Sequence, residues 1–180
     1  MKIKIGICGY GNLGKGVELA IAQNLDMELA AIFTRRQPAE SLKINSNVPV
    51  VHVDCAADWT DKIDVMILCG GSANDLPKQT PQFAKLFNTV DSFDNHSKIL
   101  EHLENVNASA KAGNKISVIS VGWDPGMFSV MRLYSNAIIP NGCTHTFWGK
   151  GVSQGHSDAV RGINGVSDAI QYTIPIALCL

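Results

Sequence analysis

Ile3-Lys4-Ile5-Gly6-Ile7-Cys8-Gly9-Tyr10-Gly11-Asn12-Leu13-Gly14-Lys15-Gly16-Val17 is the stretch whose reading decides the fold. Lys2 to Cys8 is short, rich in isoleucine and bounded by Gly9, which reads as a β-strand. Gly14 to Asn24 then carries Val17, Leu19, Ala20 and Ile21 at helical spacing, and Met27 to Phe33 is a strand again. Strand, glycine turn, helix and second strand make one βαβ unit.

Outward from that unit the alternation continues. Val48 to Val53, Asp64 to Cys69, Asn88 to Asp91 and Ile116 to Val121 read as strands, with helices expected near 75 to 87 and 96 to 112. Buried strands joined by helical crossovers build a parallel sheet covered on both faces, so the fold class is α/β, a doubly wound (Rossmann) sheet. This dinucleotide-binding domain is expected over 1–122. After Gly122-Trp123-Asp124-Pro125-Gly126 the texture changes. A helix over Met127 to Ala137 and strands over Thr144 to Trp148 and Val166 to Ile174 are predicted, with a turn at Pro140-Asn141-Gly142. Two strands with few helices cannot enclose a core, so 123–180 reads as the start of an incomplete α+β domain.

Composition narrows the partners. The 180 residues are 46% hydrophobic and 17% charged with a net charge of -1, enough to bury a core and too balanced for a nucleic-acid or anionic-lipid footprint. Apolar runs reach only five residues, as in Leu29 to Phe33, against the roughly 20 of a bilayer crossing, so no membrane span is expected. The early glycines break any signal-like apolar stretch. Five scattered cysteines without a Cys-x-x-Cys pair fit reduced thiols rather than disulfides or a metal site. A cytoplasmic chain with a small-molecule partner is the expectation.

Gly9-Tyr10-Gly11-Asn12-Leu13-Gly14 matches G-x-G-x-x-G between a strand and a helix. Gly9 permits the tight turn, Gly11 lets a pyrophosphate approach the backbone, and Gly14 allows close helix packing. The helix start then offers free N–H groups to phosphate. Where an NAD site places an acidic residue after the second strand, this chain has Phe33-Thr34-Arg35-Arg36. No carboxylate there repels a 2′-phosphate, Thr34 can hydrogen-bond, and two guanidiniums can grip phosphate oxygens, so NADP is expected. The bland alternative is two solvated surface arginines. Cys69-Gly70-Gly71-Ser72-Ala73-Asn74 follows the next strand at the same sheet edge and is expected near the nicotinamide ribose; a turn capped by Ser72 or Asn74 explains it equally.

Two further strand ends bring Asp91-Ser92-Phe93-Asp94-Asn95-His96 and Gly122-Trp123-Asp124-Pro125-Gly126 to that edge. Carboxylates there can hold an ammonium group or help water attack an imine, whereas helix capping and a tight turn account for the same residues structurally. Spacing does not decide between them.

These segments, with Met127-Phe128-Ser129, His145-Thr146-Phe147-Trp148-Gly149 and Ser153-Gln154-Gly155-His156-Ser157-Asp158-Ala159, resemble the meso-diaminopimelate dehydrogenase family, NADP-dependent oxidoreductases of bacterial lysine biosynthesis. The resemblance runs through about Thr173. It implies reversible oxidative deamination of meso-2,6-diaminopimelate to L-2-amino-6-oxopimelate, with ammonia and NADPH formed, by a homodimer. It also implies that Asp124 activates water or orients the ammonium group, that Asp94 supports it, and that Trp123, Trp148, Ser153, Gln154, Gly155 and Thr173 shape the substrate pocket. Family members are nearly twice as long, and the apolar Ile176-Ala177-Leu178-Cys179-Leu180 stands where they continue with a polar stretch. A truncated chain is therefore expected. An inert NADP-binding fragment and a related NADP-dependent dehydrogenase or reductase with another small substrate are the competing readings.

Overall fold

The computed structural model describes residues 1–36, 42–143 and 150–174, the side chains of residues 154, 155 and 158 excepted. The chain divides into two compact units, Met1–Gly122 and Trp123–Leu180.

In the first unit six strands form one sheet: β1 (Ile3–Cys8), β2 (Met27–Thr34), β3 (Val50–His52), β4 (Val65–Leu68), β5 (Asn88–Asp91) and β6 (Ser117–Val118). Their order is β3-β2-β1-β4-β5-β6 and every pair is parallel, the doubly wound order expected from the sequence. The order reverses between β1 and β4, which opens a crevice at the carboxyl ends of the strands. Alternation of side chains along each strand buries both faces. On one face Ile5, Ile7 and Ile32 pack with Tyr10 and with Ile21 of α1 (Asn12–Gln23); on the other Phe33, Met66 and Leu68 pack with Leu76 and Phe83 of α2 (Leu76–Ala84). The third helix, α3 (Ile99–Gly113), turns His102, Val106 and Ala110 inward at four-residue spacing. It ends at Asn114, left-handed at φ 51°, whose N–H closes the last turn on Ala110 and Lys111.

Several expected boundaries move, each for a visible reason. α1 begins at Asn12, inside the glycine motif. β3 ends at His52 because Val53–Trp59 winds into a 3₁₀ helix, capped by the His52 ring accepting from Asp54 N–H. A run of 3₁₀ helix His96–Lys98 precedes α3. Strand pairing over Ile116 to Val121 shrinks to two residues, since the N–H of Ser120 goes to the Asp91 side chain and that of Val121 to the Asp91 carbonyl.

The second unit contains α4 (Met127–Ile138), β7 (Gly151–Ser153), α5 (Gln154–Arg161) and β8 (Gln171–Thr173), with β7 and β8 antiparallel. The expected strand Thr144 to Trp148 lies outside the described residues. The expected strand Val166 to Ile174 is corrected to three residues: its partner is only three long, Val166 N–H bonds Ile163, and the Ala169 carbonyl is taken by Arg161. The helix α5 was not expected from the sequence pattern.

Candidate functional site

The glycine loop is built as a close-packed turn. Gly9 sits at φ +94° with its N–H on the Phe33 carbonyl at 2.8 Å. A Cβ at Gly14 would stand 2.3 Å from the Gly9 carbonyl oxygen, whereas one at Gly11 meets nothing within 4 Å. The middle glycine thus faces open space. α1 has no side-chain cap and no acidic residue in its first turn, and the Lys15 N–H bonds the Gly11 carbonyl. The first-turn amides and the positive end of the helix dipole can receive an anion.

Tyr10 is buried and donates its hydroxyl to Glu18, a carboxylate on the inner face of α1. Glu18 also accepts from the Asn45 backbone and amide at 3.1 Å each, and from the Ser46 N–H at 2.9 Å and hydroxyl at 2.5 Å. Burial pushes the Glu18 carboxyl up, but the donors on Ser46, Tyr10 and Asn45 outweigh it, and the net shift is downward. Burial, reinforced by Glu18, pushes the Tyr10 phenol up to about 12. The side chain of Tyr10 is a strut beneath the loop.

Beside the loop lies a cleft of about 230 Å³. Gly9 to Gly11, Thr34, Arg35, Arg36 and Cys69 to Gly71 line it, so the fold unites these three expected segments. Asn12, Leu13, Ser72 and Ala73 are not among its lining residues. Thr34 Oγ1 accepts the Arg36 N–H at 3.1 Å, which fixes the turn between them. The Cys8 and Cys69 thiols on its wall are pushed up to about 12, by burial first, and stay protonated.

One expectation is corrected here. The local sequence shows no carboxylate beside the arginines, but the fold brings Asp75 to Arg35: Nη1 to Oδ1 is 2.9 Å and Nη2 to Oδ2 is 3.2 Å. Oδ2 of Asp75 also accepts the Gly71 N–H at 3.0 Å, so this carboxylate ties the end of β2 to the loop after β4. Asp75 and Gln79 both line the cleft, and neither has a local sequence signal.

At the end of β5, Asp91 is fully buried. It accepts from His102 Nε2 at 2.7 Å, Thr80 Oγ1 at 2.8 Å, Ser120 N–H at 2.9 Å and Phe93 N–H at 3.1 Å. Burial raises its carboxyl pKa, and these donors more than reverse that, leaving it lowered. The His102 ring stacks on Phe93 at 4.1 Å. This lattice holds the loop bearing Asp94, whose N–H bonds Ser72 Oγ at 3.0 Å. The Asp94 carboxylate itself takes no hydrogen bond from the described residues.

In the second unit, described by itself, Asp124 is a partner of Arg132, with Nη2 to Oδ1 at 2.6 Å and Nη1 to Oδ2 at 3.0 Å, and of the Ser129 hydroxyl at 3.1 Å. Trp123 is exposed and lies tilted on Phe128 at 5.4 Å. Ser153, His156, Gln171 and Thr173 line one hollow, with Ser153 Oγ 2.7 Å from His156 Nδ1. Ser153 and Thr173 are two of the substrate residues implied by the resemblance, and His156 and Gln171 stand beside them through the β7–β8 register and the first turn of α5. Gln154 and Gly155 open α5, their side chains outside the description, and Trp148 lies outside the described residues.

Comparison with known proteins adds a chemical context. A family model for the diaminopimelic acid dehydrogenase C-terminal domain matches residues 122–180. The chain is 62% identical over 175 residues to a meso-diaminopimelate D-dehydrogenase of Ureibacillus thermosphaericus, covering 97% of this chain and 53% of that protein. Among solved structures, an engineered D-amino acid dehydrogenase bound to NADP+ superposes with a TM-score of 0.78 at 44% identity, covering 97% of this chain and 53% of that one. The Corynebacterium glutamicum DAP dehydrogenase in complex with DAP gives 0.77 at 46% identity, with the same coverage. The chain spans about half the length of the curated relatives it matches.

Proposed function

We propose that this chain, which resembles the meso-diaminopimelate dehydrogenases along 97% of its own length, binds NADP in the glycine-loop cleft. We propose further that it takes part in the oxidative deamination of meso-2,6-diaminopimelate. The overall reaction converts the amine-bearing carbon, NADP⁺ and water into an oxo acid, an ammonium ion, NADPH and a proton. When bound, NADP supplies the hydride acceptor. The carrying observation is the union, in one cleft, of an uncapped helix start, the open space at Gly11 and two arginines. These groups suit a pyrophosphate and an extra phosphate; the thiols stay neutral, and the Asp75 carboxylate in the same cleft offsets part of the Arg35 charge.

For the substrate, the Asp94 carboxylate is available to an ammonium group, whereas Asp124 already shares its oxygens with Arg132 and Ser129. Asp124, held in orientation by Arg132 and Ser129, keeps the water-activating or ammonium-orienting role that the resemblance implies, and Asp94 supports it. Ser153 and Thr173 offer hydroxyls to a substrate carboxylate. Resemblance to the same enzymes supports a homodimer in the cytoplasm. A second reading, NADP binding without turnover, is favoured by one observation: among the described residues of the second unit only Ser157 is buried.

The test pairs binding with turnover. Arg35→Ala with Arg36→Ala should cut NADP affinity about 10- to 100-fold while leaving NAD within about threefold, because the charge-assisted bonds to the extra phosphate are lost for NADP alone, whereas loss of the Arg35–Asp75 pair bears on both nucleotides alike. An unchanged NADP to NAD ratio would overturn the cofactor assignment. Reduction of NADP on adding meso-diaminopimelate, measured beside that titration, separates the catalytic reading from the binding-only one.

A further inference from the structure

The buried carboxylate of Asp91 serves two stretches of backbone at once. Its Oδ1 accepts the Phe93 N–H at 3.1 Å and the Ser120 N–H at 2.9 Å, and its carbonyl accepts the Val121 N–H at 2.8 Å. One residue at the end of β5 therefore ties the loop that carries Asp94 to the last residues of the first unit. Ser120 sits at φ +60°, a left-handed backbone uncommon for a residue with a side chain, and its bond to Asp91 helps hold it there. Oδ2 accepts from the helices instead: Thr80 Oγ1 on α2 at 2.8 Å and His102 Nε2 on α3 at 2.7 Å. An ionised carboxylate only accepts, so Nε2 carries the proton. The same ring lies nearly parallel to Phe93, at 15°. None of Asp91, Thr80 and His102 lines the glycine-loop cleft.

Stability alone does not call for this arrangement. A buried charge costs free energy until donors meet both of its oxygens, and well-packed apolar side chains fill such a site about as well. What the carboxylate adds is a fixed backbone. Phe93 is held through its N–H and its ring, and the next N–H, that of Asp94, is held by Ser72 Oγ at 3.0 Å. The Asp94 backbone is thus pinned while its carboxylate takes no bond from the described residues. We propose that Asp91 and His102 are positioning residues for Asp94, setting how its carboxylate is presented to the substrate's ammonium group. This rests on the substrate reading above.

The experiment titrates the full chain with NADPH, and with meso-diaminopimelate in saturating NADPH, which accepts no hydride. Wild type, His102→Leu, His102→Gln and Thr80→Val are compared by calorimetry. NADPH affinity should stay within about threefold throughout, which also shows that each variant is folded. Diaminopimelate affinity should fall about tenfold in His102→Leu and about threefold in Thr80→Val, each of which removes one donor from Oδ2. His102→Gln keeps an N–H donor and should recover most of the loss. Unchanged diaminopimelate affinity in the variants would overturn the inference, as would equal losses for both ligands or a His102→Gln no better than His102→Leu. Should His102→Leu fail to fold, Thr80→Val decides, since it deletes a hydroxyl at nearly constant shape. Wild type that binds NADPH but no diaminopimelate would overturn the substrate reading and this inference with it.

Discussion

The two units of this chain are held together by different means. In Met1–Gly122 a parallel sheet is covered on both faces, and Phe33, Phe87, Phe93, Ile7 and Leu68 are closed off from solvent. In Trp123–Leu180 the longest helix, α4, buries none of its residues, and Val130, Leu133, Tyr134 and Ile138 are all more than 60% exposed. The difference is one of layers. Six strands with helices on either side can enclose a core, whereas β7 and β8, three residues each, cannot. Groups expected to grip the nucleotide therefore stand on a packed scaffold, and Asp124 with its neighbours stands on side chains open to water.

The sharpest way to break that comparison is to remove the same kind of apolar bulk from each unit. Phe33→Ala empties a site packed against Trp59, edge to face at 5.9 Å, and should cost about 3–5 kcal/mol. Leu133→Ala, on the open face of α4, should move stability by no more than about 0.5 kcal/mol. Urea unfolding followed by circular dichroism reads both. Comparable losses at the two sites would mean that α4 is covered in solution and that the contrast between the units is false.

A smaller effect is expected at Glu18, where the first unit buries a charge. Glu18→Gln leaves donors on Ser46, Asn45 and Tyr10 poorly matched and should cost roughly 1–3 kcal/mol at neutral pH. Its pH dependence has a definite sign. The folded carboxyl titrates below its ordinary value of 4.5, so its contribution is fully present above that pH and is lost as the pH falls through the lowered folded value. The stability gap between wild type and Glu18→Gln should therefore narrow on acidification below about 4.5. A gap that stayed constant from neutral to acid pH would show that Glu18 is not held as a carboxylate.

What the sequence revealed divides along the same line. β1, the glycine turn, α1 and β2 are legible because their signals are local: alternation, helical spacing and glycines at fixed offsets. β5 is found over Asn88–Asp91 as expected. The overlong expectations at Ile116 to Val121 and Val166 to Ile174 come from segments rich in Val and Ile in which backbone groups are bonded elsewhere, those of Ser120 and Val121 to Asp91, that of Val166 within a turn and that of Ala169 by Arg161. α5 has no legible apolar periodicity, because Gln154–Arg161 is polar and starts beside a glycine. Asp75 and Gln79 were invisible for another reason. They reach the cleft only through the placement of α2 after β4, about forty residues from the arginine that Asp75 holds. Glu18 reads as a solvated helix residue until Asn45 and Ser46 are brought over it.

The smallest expected effect tests the exposed side of the comparison. Arg132 and Asp124 form a bidentate pair, and Asp124 pushes the guanidinium pKa further up, yet the two side chains keep 43% and 30% of their surface in solvent. Water and salt screen such a pair, so Arg132→Gln should lower the unfolding midpoint only slightly, and by less still at high ionic strength. The useful readout is the difference between low-salt and high-salt unfolding midpoints for wild type and variant. A loss that exceeded the Glu18 effect and ignored salt would place this pair in a water-excluded interior, because only there does one ion pair outweigh a buried carboxylate with several donors. The second unit would then possess a core of its own around Asp124, and the case for treating its groups as loosely supported would fail.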